Sequence, residues 1–181
     1  MTDSVDHVVL GAGAVGMAVA EALAAREESV RAVNRSGLRE PVAGVQSVAG
    51  DVTDPDFAAS ATRGARVIYQ ALNPPDHRWA QEFPALQAAA VAAAQAAGAR
   101  LVVMDNLYMY GRANGRPFTE DRAHDAHTRK GRVRAAMGPR PHGRPRRRTR
   151  PGHNRPGVGL LRAPRRRAII DRRLGHPARP R

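Results

Sequence analysis

Three glycines near the start of the chain, at a spacing that few folds require, restrict its architecture more than any other feature. The apolar run Val8-Val-Leu10 leads directly into Gly11-Ala-Gly13-Ala-Val-Gly16, and the segment Met17–Arg26 that follows is rich in helix formers. A continuous apolar run is typical of a strand covered on both faces of a parallel sheet. We therefore predict a strand, a tight glycine turn and a helix.

The same alternation of apolar runs and helix-forming segments continues to residue 137. Further strands are predicted at Val30–Val33, Val45–Val48, Ala65–Tyr69 and Arg100–Met104. Further helices are predicted at Pro55–Thr62, Trp79–Ala97 and Thr128–Met137. This alternation predicts an α/β fold, a Rossmann-type doubly wound parallel sheet with its ligand at the carboxyl ends of the strands. No sixth strand follows, so we expect the sheet to be incomplete at its C-terminal side.

The glycine turn has a chemical interpretation in this context. Gly11 would permit the tight turn, Gly13 would let the backbone approach a pyrophosphate, and Gly16 would let helix and strand pack closely. The amides of the first helical turn, which includes Ala14 and Val15, would then face the phosphates. The alternative is a tight strand-to-helix turn that binds nothing.

The end of the second predicted strand indicates which dinucleotide would bind. An acid at this point binds the ribose hydroxyls of NAD, whereas an arginine accommodates the extra phosphate of NADP. The chain has Asn34-Arg35 and no acid there, and a guanidinium can hold a phosphate bidentately. We therefore favour NADP(H), with NAD(H) as the open alternative; Arg35 could also be a solvated surface residue.

Taken together, these motifs resemble the short-chain dehydrogenase superfamily, in its extended and atypical NAD(P)-dependent epimerase/dehydratase branch. The resemblance covers roughly residues 7–137, and it rests on the glycine motif, Asn34-Arg35, Gly50-Asp51-Val52-Thr-Asp54 and Tyr69-Gln-Ala71-Leu72-Asn73. It implies that Asp51 and Val52 lie against the adenine. It also implies that Ala71, Leu72 and Asn73 line the nicotinamide side.

The catalytic positions of that family are only partly matched. Met109-Tyr110-Gly111 resembles the family's Val-Tyr-Gly, and Asn106 falls where the family has a catalytic Ser or Thr. In the family's Tyr-x-x-x-Lys motif, the lysine lowers the pKa of the tyrosine that relays the proton. Lys130 fits the lysine position, but Ala126 stands at the tyrosine position and cannot transfer a proton. Tyr110 is a substitute candidate.

Residues 138–181 differ in kind from the rest of the chain. Residues 1–137 hold 15 basic and 15 acidic side chains, whereas residues 138–181 hold 15 arginines, one acid and 8 of the 14 prolines. We expect residues 1–137 to be the NAD(P)-binding domain and residues 138–181 to be an irregular or disordered tail, or the product of a reading-frame shift. A one-base shift over residues 157–164 permits a Ser-Asp-Tyr-Phe-Gly-Pro stretch, which that family carries after its sixth strand. A genuine Arg-rich arm would instead bind nucleic acid non-specifically.

These observations lead to three hypotheses of function. The first is a truncated, impaired enzyme that reduces or epimerises a carbonyl or nucleotide-sugar-like substrate with NADP(H). The second is a non-catalytic NADP(H)-binding module or redox sensor, and the third is nucleic-acid binding through the tail. The chain has no cysteine and no apolar run of the roughly 18 residues that a membrane span needs. We predict no metal site, no membrane partner and a cytoplasmic location. The oligomeric state stays open, with a homodimer of the kind that the family often forms as one alternative.

Overall fold

The computed structural model describes residues 5–115, 117–119 and 122–137. The predicted tail, and with it the reading-frame and nucleic-acid hypotheses, lies outside the described residues. The described strands are β1 His7–Leu10, β2 Val30–Asn34, β3 Val45–Ala49, β4 Val67–Gln70 and β5 Arg100–Val103. The described α-helices are α1 Ala14–Ala24, α2 Pro55–Ala61, α3 Trp79–Ala97 and α4 Arg129–Met137, with single 3-10 turns at Asp76–Arg78 and Tyr108–Tyr110.

All five strands pair in parallel, in the order β3-β2-β1-β4-β5. Leu10, the last residue of β1, lies opposite Val33 of β2 and Gln70 of β4, so the carboxyl ends of these strands are level. The strand order reverses direction between β1 and β4, and a crevice at such a point is where ligands bind in open α/β sheets. The predicted Rossmann-type sheet is confirmed.

Alternate residues of the strands are buried on opposite faces of the sheet. Val8, Leu10 and Ile68 belong to the larger apolar cluster, which α2 and α3 cover with small side chains such as Ala61 and Ala90. Val9 points the other way and joins a second cluster with Ala20 of α1. Because helices cover both faces of the sheet, consecutive strand residues such as Val8, Val9 and Leu10 are buried, and they therefore form an unbroken apolar run in the sequence.

A buried arginine fastens α2 to the sheet. Arg31 of β2 is only 5% exposed. Its Nε donates to Oε1 of Gln46 at 2.8 Å, and its Nη1 donates to the carbonyl oxygen of Ala61 at 2.7 Å. That carbonyl belongs to the last turn of α2, where no intrahelical partner is available. The guanidinium therefore satisfies a helix end inside the fold.

Helix α4 begins where the sequence predicts and packs closely on the segment after β5. Oγ1 of Thr128 accepts a hydrogen bond from the Gly131 amide at 3.0 Å, as an N-cap does. A Cβ atom on Gly131 would lie 2.4 Å from the carbonyl oxygen of Tyr108, so only glycine allows this approach. The contact places α4 beside the carboxyl end of β5.

Candidate dinucleotide-binding site

The two outer glycines of the motif serve the packing of the turn. Gly11 has a φ of +101°, and a Cβ atom there would lie 2.9 Å from the backbone carbon and oxygen of Ala71. A Cβ atom on Gly16 would lie 1.8 Å from the carbonyl oxygen of Gly11. Strand β1, the loop after β4 and the first turn of α1 therefore meet at distances that exclude any larger residue at these two positions.

The middle glycine faces open space at the start of α1. Gly13 is the N-cap residue of this 11-residue helix, and no side chain caps the helix or places an acid in its first turn. A Cβ atom on Gly13 would meet nothing within 4 Å. The first amides of a helix have no intrahelical partner and carry a partial positive charge. This end of α1 is therefore open to an anion.

A cavity of about 760 Å³ extends from this helix end across the carboxyl ends of the strands. Eleven of the twelve residues predicted to bind the dinucleotide line it: Gly11, Gly13, Ala14, Val15, Asn34, Arg35, Asp51, Val52, Ala71, Leu72 and Asn73. The twelfth, Gly16, lies behind the turn, where it packs on Gly11. The cavity thus joins the uncapped start of α1 to the loops after β2, β3 and β4.

The loop after β2 is shaped by Asn34 rather than by Arg35. Nδ2 of Asn34 donates to the carbonyl oxygen of Gly37 at 3.2 Å, and the Gly37 amide returns a bond to the Asn34 carbonyl at 3.2 Å. Arg35, in the middle of this turn, is exposed and lines the cavity. Its guanidinium is therefore free to reach a ligand without disturbing the turn.

Asp51 supplies a negative charge to the cavity from the loop after β3. Its Oδ1 accepts bonds from the Thr53 amide at 2.9 Å and the Thr53 hydroxyl at 2.7 Å. These two bonds, and to a smaller extent the positive charge of Arg35, lower the pKa of Asp51 below its ordinary value of 3.8. The carboxylate is ionised at neutral pH and is held in place as an acceptor for hydroxyl or amino groups of a ligand.

A second cavity, of about 310 Å³, adjoins the first at the end of β5. The two share four lining residues: Val15, Ala71, Leu72 and Asn73. Its remaining wall combines polar side chains, among them Asn106, with Trp79 and Phe83 of α3. A ligand that filled the first cavity would therefore end beside the second.

Of the three predicted catalytic residues, only one lines either cavity. Asn106 lines the second cavity. Lys130 does not line it: its Nζ pairs with Asp76, and it lies 5.4 Å from the ring centre of Trp79. Tyr110 packs against Phe118 and His124, with ring centres 5.7 Å and 5.4 Å away, and is absent from the walls of both cavities.

Several residues of the two cavities were not predicted from the sequence. Arg78, Gln81 and Glu82 reach the first cavity from the start of α3. Asp105 and Arg134 form an ion pair in the wall of the second. Asp105 could have been predicted, because it follows a strand at the edge of the sheet where ligands bind. Arg78, Gln81, Glu82 and Arg134 occupy helical positions, and the sequence does not show which way their side chains point.

Within the described ranges, no three His, Asp or Glu side chains are grouped so that they could hold a metal ion. None of the helices in the described part of the chain has the length and hydropathy of a membrane-spanning segment.

Comparison with protein families decides the affiliation of the domain. A profile for NAD(P)H-binding domains matches residues 11–135. The chain belongs to this NAD(P)H-binding family. The predicted affiliation with the short-chain dehydrogenase superfamily is confirmed by this match together with the solved structures described next. The assignment to its epimerase/dehydratase branch stays a prediction. A search of curated proteins found no match.

Solved structures of the same fold include a candidate exported protein from Burkholderia pseudomallei, at 28% identity over 74% of this chain and 64% of that one, with a TM-score of 0.55. MoeE5 in complex with UDP-glucose and NAD is 26% identical over 73% of this chain and 46% of that one, with a TM-score of 0.58. A short-chain dehydrogenase/reductase superfamily protein from Agrobacterium tumefaciens with bound NAD is 25% identical over 72% of this chain and 42% of that one, with a TM-score of 0.59. The chain therefore spans between two fifths and two thirds of the length of these relatives.

Proposed function

We propose that this protein binds NADP(H) across the first cavity. The pyrophosphate would lie at the uncapped start of α1, the adenine side against Asp51 and Val52, and the nicotinamide beside Asn73. The observation that carries the proposal is the cavity itself, which joins an unblocked helix N-terminus to the ends of three strands. Two of the solved relatives, MoeE5 and the Agrobacterium tumefaciens protein, hold NAD.

The preference for NADP(H) over NAD(H) rests on Arg35. It is exposed beside the cavity, and no acid stands at the end of β2 to bind a free ribose hydroxyl. A charge-assisted bond from a guanidinium to the extra phosphate contributes about 1.5–3 kcal/mol, and exposure to solvent places the expected gain at the lower end. We expect NADPH to bind about tenfold more tightly than NADH.

The experiment is a titration of the full chain with NADPH and with NADH, followed by energy transfer from Trp79 to the bound dihydronicotinamide. Trp79 is the one tryptophan of the chain and lines the adjoining cavity, so the signal has a single origin. Arg35→Gln should abolish the preference while leaving NADH affinity unchanged. Arg39→Gln, an exposed arginine four residues on that lines neither cavity, is the matched control. A wild-type preference for NADH would contradict the assignment.

We further propose that any hydride transfer by this chain, to a carbonyl or nucleotide-sugar-like substrate, is slow. Ala126 offers no proton where the family has a tyrosine, and Tyr110 is turned towards Phe118 and His124. These observations also favour the second candidate function, an NADP(H)-binding module that senses the redox state. Steady NADPH consumption with a panel of aldehydes, ketones and nucleotide sugars separates the two: turnover supports the enzyme, and tight binding without turnover supports the module.

A further inference from the structure

The wall of the second cavity contains a buried cation with an unused donor. Arg134 of α4 is 2% exposed. Its Nε donates to Oδ1 of Asp105 at 2.8 Å, its Nη2 pairs with the same carboxylate, and its guanidinium carbon lies 4.4 Å from the ring centre of Phe83. Nη1 is buried and has no hydrogen-bond partner among the described residues.

An unpartnered donor in this position favours an acceptor in the cavity. A buried donor without an acceptor costs about 1–3 kcal/mol, and more when it is charged. Nη1 of Arg134 is closed off from water, and the side chain forms part of the cavity wall. The cavity is therefore a space from which a ligand oxygen would reach Nη1 after a small movement of the side chain. An oxygen atom bound there would offset this cost.

The charges around the cavity limit what that oxygen can belong to. The wall holds Asp76, Asp105 and Arg134. Asp105 pairs with Arg134, and Asp76 pairs with Lys130 from outside the wall. The four charges therefore balance, and no net positive charge remains to compensate a bound carboxylate or phosphate. An uncharged oxygen atom needs no such compensation.

Part of the cavity wall is apolar and exposed. Met104 and Tyr108 are 51% and 53% exposed, and Val15, 44% exposed, reaches the same cavity from α1. At about 310 Å³ the cavity lies at the lower end of the range for small-molecule sites. These walls fit a compact ligand with an apolar body and one polar end.

We propose that Arg134 anchors the substrate through Nη1, and that the second cavity takes a compact, uncharged carbonyl compound with an apolar body. The proposal rests on the proposed function, because the carbonyl group would lie next to the nicotinamide end of the dinucleotide. It separates this chain from a binder of nucleotide sugars, whose phosphates the balanced charges of the cavity do not favour.

The test uses two non-reactive probes of the same shape, cyclohexanecarboxamide and cyclohexanecarboxylate. Both are titrated against the full chain in excess NADP⁺, which does not absorb the emission of Trp79, and the change in Trp79 fluorescence is measured. Calorimetry of NADP⁺ alone is performed first. An absence of NADP⁺ binding would refute the proposed function, whereas normal NADP⁺ binding without a response to either probe would overturn this inference alone.

In the wild-type chain we expect the carboxamide to bind about tenfold more tightly than the carboxylate, because both offer an oxygen atom to Nη1 but only the carboxylate brings a charge that the balanced wall leaves uncompensated. Arg134→Lys keeps the charge opposite Asp105 but removes the second donor edge, so carboxamide affinity should fall about tenfold. Arg132→Lys, an exposed arginine on the same helix, is the matched control and should bind both probes as the wild type does.

Asp105→Asn provides a readout that a merely structural ion pair would not change. The amide still accepts from Arg134, but the wall gains one positive charge, so the ratio of the two affinities should shift towards the carboxylate by about tenfold. A ratio within one variant is unaffected by a fraction of unfolded protein. Wild-type preference for the carboxylate, an unchanged carboxamide affinity in Arg134→Lys, or an unchanged ratio in Asp105→Asn would overturn the proposal.

Discussion

Replacing Gly13 by alanine separates what the fold requires from what the ligand requires. Gly13 has φ −78° and ψ −177°, which any residue adopts, and an added Cβ atom would meet nothing within 4 Å. Alanine reduces the entropy of the unfolded chain, which stabilises the fold by about 0.4–1 kcal/mol. It is also a poorer N-cap than glycine by a similar amount. We expect the free energy of unfolding to change by less than about 1 kcal/mol.

Binding should respond very differently to the same substitution. The open space beside Gly13 is the place where a pyrophosphate would approach the first amides of α1. A methyl group there would hold the phosphates away from at least one backbone amide. A hydrogen bond to a charged group contributes about 1.5–3 kcal/mol, so the dissociation constant of NADPH should rise roughly 10- to 150-fold.

The assay is a titration with NADPH, followed by energy transfer from Trp79, beside a thermal melt of the same sample. Gly98→Ala is the matched control: Gly98 ends α3 with a φ of +64°, outside both cavities. That variant should lose about 1–2 kcal/mol of stability, because alanine is strained in this conformation, and should bind NADPH normally. Unchanged NADPH affinity in a folded Gly13→Ala protein would refute the placement of the pyrophosphate.

Three further changes test the fold and the site. Gly16→Ala should lower the free energy of unfolding by about 1–3 kcal/mol, since its Cβ atom would lie 1.8 Å from the Gly11 carbonyl oxygen; a wild-type denaturation curve would contradict this. Arg31→Leu should cost about 1–3 kcal/mol, because the buried Ala61 carbonyl loses its donor; equilibrium urea unfolding measures it. Since the pKa of Asp51 is lowered in the folded state, its contribution to stability is present above about pH 3.8 and is lost as the pH falls further. Asp51→Asn should therefore show a shallower loss of stability in acid, and an identical pH profile would count against the bonds to Thr53.

The glycine turn and the sheet could be predicted because their signals are local. Gly11 and Gly16 make backbone contacts that no larger residue permits. The tight turn therefore requires glycine at these positions, and the glycine spacing indicates the turn. The ends of parallel strands share one edge, which brings Arg35 and Asp51 to the same cavity although strand β3 separates them in the sequence. Strand β4 begins at Val67, two residues later than predicted, because the Ala65 amide still bonds to Thr62 in the turn before it.

The second cavity was harder to predict because it depends on contacts between distant segments. Asp105 and Arg134 are 29 residues apart and meet only when α4 packs on the segment after β5. The pairing of Lys130 with Asp76 spans 54 residues. A resemblance assigns roles by position in the sequence, and it could not indicate that Tyr110 would face Phe118.

Calorimetric titration of the full chain with NADPH and, in parallel, with NADH measures whether the first cavity holds a dinucleotide and which one it prefers. We expect saturable heat with one site per chain for NADPH and about tenfold weaker binding of NADH. Absence of heat with either dinucleotide, from a protein whose thermal melt is cooperative, would contradict this expectation.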